Sequence, residues 1–189
     1  MTAARTRQAH HIIERNPMRW YRNLLLRRGG AAFALVAALA AAPAAWALEA
    51  GAPAPDLDLP GLKEAVSLAK LKGKIVYVDF WASWCGPCKQ SFPFMNDLQS
   101  RYGAGGLEVV AVNLDAKRDD ADRFLAEVPA RFTLAFDPRG DSARRFEVKA
   151  MPSSVLIGRD GKVVAAHKGF KEGDRRELEE RIAQLVAAS

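Results

Sequence analysis

The sequence predicts an α/β fold in which a mixed central sheet is flanked by helices. Three observations carry this. Short β-rich apolar runs alternate with segments of helical period, in the order β-α-β-α-β-α-β-β-α. The run Lys74–Trp81 is apolar almost throughout, as a strand covered on both faces requires. The last two strand-like runs are separated only by Gly158-Arg159-Asp160-Gly161, a hairpin turn that makes part of the sheet antiparallel.

The elements follow in order. Gly51–Pro55 reads as a linker and Asp56–Pro60 as the start of the folded part. After the strand at Lys74–Trp81, Cys88–Tyr102 is read as a helix, with Phe92, Met95, Leu98 and Tyr102 on one broad face. Pro93 is expected to kink it, and Gly103–Gly106 to end it. Leu107–Leu114 is a second strand. Asp119–Glu127 is a helix whose first turn carries Asp119 and Asp120, suited to the positive end of the helix dipole. Phe132–Phe136 is a third strand and Asp141–Phe146 a short helix. Ser153–Ile157 and Lys162–His167 form the hairpin. A final helix starts at Glu172 or Asp174 and runs to about Ala187, with Leu178, Ile182 and Leu185 at helical spacing.

Ahead of this domain lies a leader. Residues 1–30 carry seven arginines and one glutamate, and Ala31–Ala47 is an apolar run ending in Ala45-Trp46-Ala47, an A-x-A cleavage pattern. The reading is a signal peptide over 1–47, with Met18 an alternative start. An uncleaved anchor is the other reading, although the run is shorter than the roughly 20 apolar residues that span a bilayer. Membrane association is expected only in that second case, and both place the domain outside the cytoplasm. The division is thus 1–47 leader or anchor, 48–66 linker and extension, and 67–189 the main domain.

The leader also explains the charge. The chain is +6 at pH 7, with 28 basic and 22 acidic residues, but residues 1–47 hold seven of the basic and one of the acidic ones. Residues 48–189 therefore carry 21 of each and are neutral, which gives no argument for a nucleic-acid partner.

The chain has two cysteines, Cys85 and Cys88, within Trp84-Cys85-Gly86-Pro87-Cys88. A structural staple between such near neighbours would close almost no loop and add little stability. The spacing fits thiol–disulfide exchange instead, in which a thiolate attacks a disulfide sulfur. Cys85 falls between a strand and a helix, where unpaired amides and the helix dipole favour its thiolate. Cys88, one turn on, is placed to resolve the mixed disulfide. Pro87 suits the first helical turn, where its missing amide costs nothing. A zinc site would need four ligands, and residues 48–189 offer these two cysteines and His167. Two soft thiolates suit Cu(I), so a copper-holding delivery module stands as an alternative. No metal and no cofactor is called for by the leading reading.

Phe80-Trp81-Ala82-Ser83-Trp84-Cys85-Gly86-Pro87-Cys88 resembles the active site of the thioredoxin superfamily. The exported leader and the extra βα segment before the hairpin resemble its TlpA/ResA/DsbE-like branch, and the likeness extends from about Ser67 to Ser189. The resemblance implies a thioredoxin-like fold with a βα insertion and a redox-active Cys85–Cys88 disulfide. It implies that Pro152 is the cis-proline facing the cysteines and shields their sulfurs from metal. It also implies that the Met151 backbone pairs with substrate, and that Trp84 is a rim residue touching it. Asp79 occupies the position of the buried acid that relays the proton of Cys88, and the lysine that often accompanies that acid is replaced by Ala111. The glutamate that follows the cis-proline in the cytochrome c maturation branch is Ser153 here. The implied activity is reduction of protein disulfides in the periplasm, with apocytochrome c or copper-centre proteins as substrates and a DsbD/CcdA-type inner-membrane protein as electron donor. A disulfide-donating oxidase of the same fold is the alternative.

Overall fold

The protein was analysed as a computed structural model, and the structure describes residues 48–188. The expected leader lies outside the described residues. A five-stranded sheet is built from β3 (Ile75–Trp81), β4 (Leu107–Asn113), β5 (Thr133–Phe136), β6 (Ser153–Ile157) and β7 (Val163–Lys168), in the order β5-β4-β3-β6-β7. β3, β4 and β5 run parallel, while β6 and β7 are antiparallel to their neighbours. The helices are α1 (Gly86–Tyr102), α2 (Arg118–Glu127), α3 (Asp141–Arg145) and α4 (Glu172–Ala187). Among the described residues no helix is long and apolar enough to cross a membrane.

β3 is central and every one of its residues is buried, as a run apolar but for Asp79 favours. Its side chains divide by parity. Ile75, Tyr77 and Trp81 join Phe92, Met95 and Leu98 of α1, Phe124 of α2 and Ile182 of α4 in one apolar cluster. Val76, Val78 and Phe80 join a second cluster with Leu57, Leu59, Ala143 and Phe146. The crossovers β3-α1-β4 and β4-α2-β5 step in the same direction, so right-handed connections put α1 and α2 on one face. The chain then returns past β3 through α3, which packs on the other.

Several local expectations change. α1 starts at Gly86, two residues before the expected Cys88, because Cys85 itself serves as its N-cap. The helix runs through Pro93 in one piece, the proline removing only the amide that would have bonded to the Lys89 carbonyl. Its tail tightens into a 3₁₀ turn at Gly103–Gly105, and Gly106, at φ +95°, reverses the chain into β4. Gly51–Pro55 is not a free linker. The Gly51 amide donates to the Val163 carbonyl, the Val163 amide to the Ala52 carbonyl, and Pro53 bridges to Lys162 along the β7 edge. A short hairpin, β1 (Asp58–Leu59) with β2 (Val66–Ser67), follows it, with Leu57 fully buried beside it. That segment protects both edges, since Gly61 bridges to Ala135 and the Phe136 amide donates to Pro60 at β5.

Candidate functional site

β3 ends at Trp81 and the chain turns through Ala82–Trp84 before α1 begins. The Cys85 amide donates to the Ala82 carbonyl at 3.0 Å, closing that turn. Cys85 and Cys88 are joined in a disulfide, with their Cα atoms 5.3 Å apart. As N-cap, Cys85 offers its sulfur to the helix, and the Cys88 amide donates to Cys85 Sγ at 3.3 Å. The two sulfurs are not equivalent: Cys85 keeps 5% of its surface in solvent and Cys88 none. An outside reactant reaches Cys85 first.

Six residues before Cys85, on β3, stands Asp79. It stands on the face of β3 shared by Tyr77 and Trp81, the face α1 covers, and is 2% exposed. Its register neighbours are Ala111 on β4 and Ser154 on β6. Ala111 offers no cation. Carboxyl Oδ1 has no hydrogen-bond partner among the described residues, and burial raises the acid well above the ordinary Asp value. The Tyr77 hydroxyl is likewise raised by burial and by the nearby Asp79 carboxyl, against a hydrogen bond with Ser154 that lowers it.

The rim is formed by two separate stretches. Trp84 is 72% exposed, whereas Trp81 is fully buried, edge-on to Phe92 and tilted against Phe124 with ring centres 5.0 and 4.9 Å away. The Met151–Pro152 peptide is cis. It precedes β6, one residue beyond the Phe80–Ser153 pair, and so lies beside the end of β3 from which the cysteine loop departs. Met151 packs on the apolar cluster that holds both cysteines. Ser153, where a glutamate was weighed, turns its hydroxyl back to the Ala150 carbonyl at 2.6 Å. On the other side of Cys85, a cavity of about 340 Å³ opens between α1 and α2, lined by Trp84, Cys85, Phe124 and the Lys89–Glu127 pair at 2.9 Å. The Lys89 ammonium holds the Glu127 carboxyl below its usual value.

The Redoxin family profile matches residues 49–182. The thiol-disulfide oxidoreductase ResA of Bacillus cereus (strain ATCC 10987 / NRS 248) is 34% identical over 142 residues, 74% of this chain and 80% of the relative. ResA of Oceanobacillus iheyensis is 35% identical over 132 residues, 67% of this chain and 69% of the relative. A solved structure of a candidate thiol:disulfide interchange protein DsbE from Chlorobium tepidum superposes with a TM-score of 0.72 at 55% identity, covering 74% of this chain and 99% of that one. The chain belongs to the Redoxin family. Within the thioredoxin superfamily it falls in the TlpA/ResA/DsbE-like branch, with a thioredoxin-like fold, and it is a thiol-disulfide oxidoreductase.

In this Redoxin-family chain the structure brings together Cys85, Cys88, Asp79, Trp84, Met151 and Pro152 around the carboxyl end of β3. It also supplies residues that sequence reasoning missed. The Ser83 amide and hydroxyl both donate to Asp115, at 2.9 Å each, and Asn113 Nδ2 donates to the same carboxylate at 2.7 Å. Asn113 and Asp115 follow the apolar core of β4, at the carboxyl end of a strand parallel to β3. That is where α/β sheets gather their sites, and the position was the available signal.

Proposed function

We propose that this protein is an exported reductase of protein disulfides in which Cys85 attacks and Cys88 resolves. The observation that carries the reading is the inequality of the pair: Cys85 keeps some surface in solvent at a helix N-terminus and its sulfur receives an amide hydrogen bond, while Cys88 is fully buried. In the reduced protein the Cys85 thiolate attacks a substrate disulfide. A bond forms from Cys85 Sγ to one substrate sulfur, the substrate S–S bond breaks, and the second substrate sulfur leaves as a thiolate. The Cys88 thiol then passes its proton to the ionised fraction of Asp79, and its thiolate attacks Cys85 Sγ. The remaining substrate sulfur leaves as a thiolate, and the protein is left with the Cys85–Cys88 disulfide. Two electrons have moved to the substrate. A dithiol donor must return them, and a DsbD/CcdA-type inner-membrane protein fits that need.

Trp84 and the Met151–Pro152 backbone are the surfaces proposed to meet the substrate, the first by exposure and the second by its place beside the end of β3. The basic-then-apolar leader supports a periplasmic setting. There, apocytochrome c and copper-centre proteins need reduced cysteines before they take haem or metal. A Cys88→Ala variant tests the reading: it is expected to accumulate mixed disulfides between Cys85 and exported proteins. Recovery of none, or a couple more oxidising than glutathione in the wild type, overturns it.

A further inference from the structure

Four charged side chains line the groove beside Cys85, and they cancel in pairs, Lys89 with Glu127 and Arg123 with Asp120. Asp115 is different. It is 5% exposed, and its recorded partners are neutral: the Ser83 amide, the Ser83 hydroxyl and the Asn113 side-chain amide. Its own amide donates to Asn113 Oδ1 at 3.1 Å, so the carboxylate is held from both sides. Three donors converge on its two oxygens. Ser83, two residues before Cys85, thus ties this buried carboxylate, which has neutral partners, to the loop that carries the cysteine.

We infer that Asp115 is a positioning residue whose charge opposes the Cys85 thiolate and thereby holds the Cys85–Cys88 couple toward reducing potentials. The helix N-terminus stabilises the thiolate, and a stabilised thiolate favours the reduced protein, making the couple oxidising. The Asp115 charge, tied to the Cys85 loop through Ser83, acts against that. The inference rests on the reading of Cys85 as the attacking thiol.

The test is equilibration of the full exported chain with glutathione. Two glutathione thiols reduce the Cys85–Cys88 disulfide to two thiols and are themselves joined as one disulfide. Asp115→Asn removes the charge and keeps the network: its carbonyl accepts from the Ser83 amide and Asn113, and its amide donates to the Ser83 hydroxyl. The expected result is a shift of about tenfold toward the reduced protein, equivalent to roughly 30 mV. Ser83→Ala keeps the charge and strips one donor from it, so the expected shift is about twofold in the opposite direction. A loop held merely in place would slacken in both variants and move the equilibrium the same way. Shifts of one sign, or no shift in Asp115→Asn, overturn the inference. If Asp115→Asn does not fold, the sign in Ser83→Ala decides alone. A wild type that fails to exchange with glutathione at all overturns the function, and with it this inference, whereas exchange that the variants leave unchanged overturns the inference only.

Discussion

Replacing Asp79 with Asn should make the protein more stable, by an amount that grows with pH. Burial raises the folded-state value of Asp79 well above its unfolded one, and Oδ1 has no partner among the described residues to offset the cost of charge. Between the two values the folded chain keeps a proton that the unfolded chain has released. Stability from this group is therefore fully present below the unfolded value and falls as pH rises toward the folded one. The slope for one proton is about 1.4 kcal/mol per pH unit. Asn is nearly the same size and does not titrate, so subtraction isolates the group.

The assay is urea denaturation of the oxidised wild type and Asp79→Asn at pH 5, 6 and 7. The stability difference should move in favour of the variant at each step, by no more than the one-proton limit of about 1.4 kcal/mol per unit. A difference that does not change with pH, or that shrinks as pH rises, refutes the assignment of Asp79 as a buried, uncompensated acid. The same variant should prolong the mixed disulfide, because Cys88 would have lost its proton acceptor.

Other expectations follow from single contacts. Asn96 ties α1 to the chain before β5, donating to the Pro129 carbonyl at 2.9 Å and accepting from the Arg131 amide at 2.6 Å; Asn96→Ala should cost about 2–3 kcal/mol in urea denaturation, and a loss below about 0.5 kcal/mol would show those bonds to be idle. A Cβ at Gly61 would collide with the Glu64 carbonyl oxygen and crowd that of Leu134, so Gly61→Ala should lower the melting temperature by forcing the β1–β2 hairpin off the β5 edge. Burial alone would raise Asp137, yet the Ser142 hydroxyl and the amides of Ser142, Asp141 and Ala143 outweigh it and hold the carboxylate below its usual value. Its stabilisation is present above the unfolded value and lost as pH falls through the folded one, so Asp137→Asn should lose less stability than wild type on acidification below about pH 4.

What the sequence made legible was what depends on neighbours along the chain. The central strand could be read because burial on both faces leaves no polar position in Ile75–Val78, and the final hairpin because Gly161 takes φ +77° in its turn. Cys85 and Cys88 were legible through spacing, and Pro152 through its place before a strand. The β1–β2 hairpin was not, since two-residue strands hold too few positions to alternate. The Ser83–Asp115 contact was not, because its partners are 32 residues apart and meet only where two parallel strands end side by side. Asp79 was visible as a residue, but its lack of a partner depends on Ala111 and Ser154 being the side chains that face it.

The two acids near the cysteines show how the same residue type acquires opposite states. Asp79 is met by an alanine on one side and a serine already bonded to Tyr77 on the other, so no donor offsets its burial and its neutral form is favoured. Asp115 is buried nearly as deeply, but three donors converge on its carboxyl oxygens. Raised by burial, Asp79 holds a proton tightly once it takes one, which suits the proposed transfer from Cys88, whereas Asp115 is proposed to act only through its charge. Donor count therefore separates the two roles. The same difference underlies the proposed roles, proton transfer for Asp79 and control of potential for Asp115.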